Sequence, residues 1–210
     1  MADILKGKPV ADQLQAELVA KVTELRGRGL EPHLAVLLVG SDPASEVYMN
    51  RKKKTGEKLG FVVTTHVLPG DSSTAAVLAK LEQLNADSSV HGILVEQPLP
   101  DQIDKELIVN TVAPAKDVDG ANPVNLGRLV GGDESFVPAT AQAVIEMLER
   151  IAAGDPGAGP IAALEAPARF HWLVAPSSTT IQSSPVHCGL TAEPAVTLDR
   201  LFDRLVLADA

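Results

Sequence analysis

The sequence predicts an α/β fold: a three-layer domain with a parallel sheet over residues 1–150, followed by an irregular tail over residues 151–210. Three observations carry this. Apolar runs of strand length alternate with segments of helical periodicity, an arrangement that right-handed crossovers turn into a parallel sheet covered on both faces. The run Val90–Val95 is hydrophobic without alternation, as a strand buried on both faces must be. Beyond Arg150 the composition changes abruptly, with no Lys where the first 150 residues hold ten, and with the chain's only Trp and only Cys.

Taken in order, Val10, Leu14, Leu18, Val22 and Leu25 recur at helical spacing within Pro9–Arg28, and Gly27 and Gly29 close that helix. A first strand is expected at His33–Val39. It stops at Gly40-Ser41-Asp42-Pro43, a turn and helix start, and the helix that follows carries Tyr48. Phe61–Leu68 reads as a second strand, and Ser73–Leu84 as a helix capped by Ser72 or Ser73. Val90–Val95 is the third strand, and Pro138-Ala139-Thr140 opens a long helix. In the tail, 151–170 is Ala/Pro/Gly-rich and linker-like, 171–189 has the Ser/Thr/Pro density of a loop, and only Asp199–Val206 has the pattern of a short helix. Residues 151–195 are expected to be poorly ordered.

Composition narrows the function. A formal charge of −9 and a pI near 5.0 argue against nucleic acid as the main partner. The Arg51–Lys54 cluster is a local exception, suited to a small anion such as a carboxylated substrate tail. A single cysteine, Cys188, rules out a disulfide framework and a cysteine-based zinc site, so a reducing, cytoplasmic setting is expected. His171 and His187 lack metal-like spacing, and no metal is expected. The start, MADILKGKPVADQL, reads as neither signal nor transit peptide, and no apolar run reaches membrane-spanning length, so no membrane association is expected.

Three places have the residues for chemistry. On the helix after the first strand, Ser45, Tyr48 and Lys52 fall at i, i+3 and i+7 and share a face, which suits holding a flat ring and delivering a proton to it. A solvated basic helix accounts for the same pattern. The third strand ends in Glu96-Gln97-Pro98-Leu99-Pro100, where polar side chains enter the crevice in which open α/β sheets bind ligands; an ordinary strand exit reads the same way. In Pro114–Gly120, Asp117 and Asp119 have the spacing to accept hydrogen bonds from a nitrogen heterocycle, or to cap the turn that Gly120 completes.

In order, SDPASEVYMNRKKKTGEKLG, GILVEQPLP, PAKDVDGANPVNLGRL and FVPATAQAVIEML resemble the bifunctional methylenetetrahydrofolate dehydrogenase/methenyltetrahydrofolate cyclohydrolase family, over about residues 1–150. The resemblance implies one-carbon interconversion of tetrahydrofolate derivatives, NADP as cofactor and a homodimer. It places Tyr48 against the folate ring and makes Lys52 the acid/base of the cyclohydrolase step. Asp119 would bind the pterin edge, with Asp117 and Gly120 shaping its loop, and Gln97, Pro98 and Leu99 would line the substrate site. The family pattern at the third strand is Gln-Leu-Pro-Leu. Here Glu96 takes the place of that Gln beside Lys52, and a carboxylate there favours the ammonium form over a proton-exchanging amine.

The family's second, Rossmann-like NADP domain is not legible after Arg150, and its cofactor-binding residues are therefore unknown. Gly154-Asp155-Pro156-Gly157-Ala158-Gly159 has the glycines of a phosphate turn, but also a proline and no preceding strand. Val174-Ala175-Pro176 is what a Gly-Arg-Ser turn encoded GGT-CGC-TCC yields when read one base late, so a reading-frame change or a truncation is one origin for the tail. Two functions follow: the family's bifunctional enzyme, or a catalytically impaired folate-binding or dimer-forming remnant.

Overall fold

The structure, a computed structural model, describes residues 7–154. In chain order it comprises α1 (Gly7–Gly27), β1 (His33–Val39), α2 (Pro43–Lys58), β2 (Val62–Leu68), α3 (Thr74–Ala86), β3 (Gly92–Val95), α4 (Lys105–Thr111), a 3-10 turn at Pro114–Lys116, α5 (Pro123–Gly131) and α6 (Ala139–Gly154). The sheet is parallel throughout, in the order β2-β1-β3.

The three layers follow from the pleat of β1, whose successive side chains face opposite ways. Leu34, Val36 and Leu38 pack with Leu18, Val22 and Leu25 of α1 and Met49 of α2. Ala35, Leu37 and Val39 pack on the other side with Val77, Leu81 and Leu84 of α3 and Ile108 of α4. The central strand has no solvent face, hence its unbroken apolar sequence. The foot of α1 is covered separately, since Val10 and Leu14 meet Ala143 and Met147 of α6.

The local start signals are used as expected. Asp42 caps α2 with Pro43 just inside it, and Ser73, rather than Ser72, caps α3. β2 and β3 begin one and two residues later than the apolar runs do, at Val62 and Gly92. Two helices were not anticipated: α4 and α5 are only 7 and 9 residues long, too short for a periodic stripe, although Asp104 and Asn122 cap them. The Pro114–Gly120 segment, read as a loop, begins with a 3-10 turn and then runs beside β3 through a parallel bridge between Ile93 and Asp117. The tail expectations, Asp199–Val206 and Val174-Ala175-Pro176 among them, lie outside the described residues.

Candidate functional site

The carboxyl ends of β1 and β3 are adjacent, and α2 starts between them. Its first turn is clamped there: the Asp42 Oδ2 accepts the Ser45 backbone N–H at 2.8 Å, and the buried Ser45 Oγ lies 2.9 Å from that oxygen and 3.1 Å from the Gln97 carbonyl oxygen. This clamp fixes the face on which Tyr48 and Lys52 follow. Tyr48 is 57% exposed at the rim, open to a ring stacked on it.

Lys52 reaches inward. Its Nζ donates to both oxygens of Glu96, at 3.1 and 3.2 Å. The Glu96 backbone continues the β3 ladder, its N–H donating to the Leu37 carbonyl at 2.8 Å, and its side chain is only 5% exposed against 24% for Lys52. A carboxylate so nearly desolvated has the Lys52 ammonium as its counter-charge.

Asp119 completes the polar floor. Burial pushes its carboxyl up to about 6; the Lys52 charge opposes that shift, while Asp117 and Glu96 add to it. Among the described residues no hydrogen bond reaches this carboxylate, which leaves it available to a ligand. The loop carrying it is held from three sides. Lys116 Nζ donates to the carbonyls of Leu84, Asn85 and Asp87 at 3.0, 2.8 and 2.7 Å, an arrangement whose burial lowers the lysine's pKa. Asp117 Oδ2 accepts from the Asn122 backbone N–H at 2.8 Å and from Asn125 Nδ2 at 2.9 Å. Gly120 has φ +62°, and a Cβ there would stand 2.5 Å from the Val137 carbonyl carbon, so only glycine lets the two backbones meet.

The structure therefore brings Lys52, Glu96 and Asp119 together, with Tyr48 at the edge. The remaining sequence candidates sit differently. Asp117 is buried and occupied within its own loop, and Leu99 is buried in the core on the α3 side. Gln97 and Pro98 are exposed, joined by a cis peptide, and the Gln97 Oε1 accepts from the Leu99 N–H at 3.3 Å. The loop-fixing roles of Asn122 and Asn125 were not read from the sequence; Asn-Pro at a helix start was the one available signal.

The family model for the tetrahydrofolate dehydrogenase/cyclohydrolase catalytic domain matches residues 5–119, more than half of the chain. This chain belongs to that family. A second model, described as a protein of unknown function (DUF3037), matches residues 121–206. The bifunctional protein FolD of Heliobacterium modesticaldum is 50% identical over 149 residues, 71% of this chain and 52% of that protein. The crystal structure of the Campylobacter jejuni bifunctional enzyme FolD superposes with a TM-score of 0.70 at 40% identity, covering 71% of this chain and 53% of that one. The Trypanosoma brucei dehydrogenase-cyclohydrolase, solved with NADP and an inhibitor, gives 0.67 at 33% identity over 72% and 52%. The chain thus spans about half the length of the FolD proteins it matches.

A dinucleotide pyrophosphate needs bare backbone N–H groups at a helix start after a strand. Here one such N–H is already taken at the start of each of α2 and α3, by Asp42 at Ser45 and by the Ser73 Oγ at Ala76. An acidic residue also follows each strand: Asp42, Asp71 and Glu96. Residues 7–154 do not fit NADP, and Gly157 and Gly159 of the glycine-rich stretch lie outside the described residues. No described helix is long and apolar enough to cross a membrane, and no three described His, Cys, Asp or Glu side chains form a metal-holding group.

Proposed function

We propose that residues 1–150 form a folate-binding catalytic domain of one-carbon metabolism, that it hydrolyses methenyltetrahydrofolate to formyltetrahydrofolate, and that residues 151–210 are a segment of separate character. The reading rests on one observation: the Lys52–Glu96 contact beside the raised, unpartnered Asp119, at the carboxyl ends of a parallel sheet in this family's segment. Tyr48 stacks on the ring system, and Asp119 accepts hydrogen bonds from the pterin edge. Water adds to the bridging carbon between the two ring nitrogens. Lys52 takes one proton from this water and passes it to the nitrogen that departs as the carbon–nitrogen bond breaks, while the second proton leaves the adduct's hydroxyl for solvent as the formyl carbonyl forms.

The family's other half-reaction, oxidation of methylenetetrahydrofolate by NADP, needs a nucleotide site that residues 7–154 do not supply. A cytoplasmic homodimer remains part of the proposal by family membership. The second reading, a folate-binding remnant without turnover, is favoured by one feature, the ion pair that engages Lys52 Nζ with the Glu96 carboxylate.

Calorimetric titration of the purified chain with a folate analogue, and separately with NADP, tests the assignment together with an absorbance assay of methenyltetrahydrofolate hydrolysis. We expect analogue binding, no NADP binding, and turnover lost in Lys52→Met/Glu96→Gln while binding persists. Removing both charges together avoids stranding Glu96. No analogue binding overturns the assignment, and binding without turnover in the parent chain selects the remnant.

A further inference from the structure

The floor of the site holds more negative charge than the proposed proton transfer requires. Lys52 alone exchanges the proton, yet two carboxylates act on it: Glu96, paired with its Nζ at 3.1 and 3.2 Å, and Asp119, whose carboxyl feels the charges of both Lys52 and Glu96. Lys52 and Glu96 cancel each other. Asp119, with its pKa raised to about 6, is mostly ionised at pH 7.5, and no described group donates a hydrogen bond to it. The floor is thus left with an uncompensated negative charge, partly desolvated and without a counter-ion. Asp117, the other carboxylate nearby, is engaged within its own loop by Asn122 and Asn125. A Gln at position 96, as in the family pattern, would leave Lys52 and Asp119 to balance each other.

The folate reading puts a bridge of changing charge over this floor. In methenyltetrahydrofolate the bridging carbon and its two nitrogens form an amidinium cation, whereas the formyl product is neutral there. Lys52, which must reach the water that attacks this carbon, would repel that cation if its charge stood alone. We propose that Glu96 is a specificity-determining residue: by cancelling the Lys52 charge it lets the floor attract a cationic bridge, so that the site binds the methenyl form in preference to folates whose bridge is neutral. This rests on the folate reading above. Asp119 draws the amidinium through space while its oxygens accept from the pterin edge. The neutral product gains nothing from that field, which favours its release. A unit charge a few ångströms away in a partly screened cleft changes affinity by about tenfold.

The test compares methenyltetrahydrofolate with 5-formyltetrahydrofolate, whose bridge atoms are neutral, in the parent chain and in Glu96→Gln at pH 7.5. The concentration dependence of the single-turnover rate gives the dissociation constant of the first, separate from any change in rate, and competition gives that of the second. In a chain without turnover, displacement of a fluorescent folate analogue on rapid mixing gives both. The preference for the cation is expected to fall about tenfold in Glu96→Gln, through weaker binding of the methenyl form, while 5-formyltetrahydrofolate binds nearly as before and shows that the variant is folded. A preference unchanged by the substitution, or a loss shared equally by the two folates, overturns the proposal and leaves the folate assignment standing. Failure of the parent chain to bind either folate overturns both.

Discussion

Lys52 and Glu96, 44 residues apart in the chain, meet through both carboxylate oxygens at 3.1 and 3.2 Å, one on the third turn of α2 and the other directly after the last residue of β3. The contact is a partly buried ion pair where the family pattern has an amide. Its two halves contribute differently to stability and to rate, and each can be changed alone.

Lys52→Met leaves a nearly buried carboxylate with no counter-charge, which costs about 3 kcal/mol. Adding Glu96→Gln removes that charge and should restore most of the loss. Urea unfolding of the two variants beside the parent measures this. Equal stability of the single and double variants would mean that Glu96 is not held by Lys52.

Glu96→Gln alone keeps a hydrogen-bond acceptor for Lys52 while removing the carboxylate that ties up its Nζ. Hydrolytic turnover should rise, by up to about tenfold, as the lysine is freed for proton transfer. Stopped-flow or steady-state absorbance assays read it directly. A fall in turnover would show that the carboxylate takes part in the proton transfer.

Asp119 carries the opposite sign of pH dependence from most carboxylates. Its folded pKa of about 6 lies above the ordinary value of 3.8, so its contribution to stability is full below pH 3.8 and is lost as pH rises through 6. Asp119→Asn should therefore stabilise the domain by up to about 3 kcal/mol at pH 7.5 and by nothing at pH 3.5, while weakening folate binding. Thermal unfolding at the two pH values checks the first part, and titration with a folate analogue the second.

Three histidines lie close together on the sheet: His33 opens β1, His91 directly precedes β3, and His66 is the fifth residue of β2. His33 presents Nε2 to Thr64 Oγ1 at 2.9 Å, the same hydroxyl lies 3.4 Å from His66 Nε2, and the His33 backbone N–H donates to His91 Nδ1 at 3.2 Å. Burial lowers the pKa of both His66 and His91, with Lys80 adding to the effect at His66, Lys116 at His91, and His33 at both. Groups depressed in this way give stability that is full above pH 6.5 and lost as pH falls below it. The melting temperature of Asp119→Asn, in which the opposing carboxylate is gone, should drop between pH 7 and pH 5.5. Replacing His91 with Asn should reduce that drop.

Gly120→Ala should unfold the loop that carries Asp119. The added methyl meets backbone atoms of Val137 and Pro138 at 2.5 to 2.7 Å, and the positive φ adds strain, together costing about 3 kcal/mol or more. Circular dichroism melting would show the loss. Gly127→Ala, with nothing within 4 Å of the added carbon, is the control.

Much of this was legible in the sequence because it is local. The five apolar positions of α1, the apolar run of β1, the Asp42-Pro43 start of α2 and the Ser73 cap are each determined by periodicity or by groups a few residues apart, and all appear where expected. The ordered motifs likewise sufficed to place the chain in its family and to set Glu96 at an unusual position. Other features depend on groups distant in sequence. That β3 lies beside β1, bringing Glu96 onto Lys52, follows from strand order. That Asp117 turns inward to Asn122 and Asn125 while Asp119 accepts no hydrogen bond from the described residues follows from how the loop lies against β3 and Val137. Burial sets the pKa of Asp119, and burial belongs to the packed molecule: the same carboxyl on the unfolded chain is solvated, and only the assembled layers take its water away.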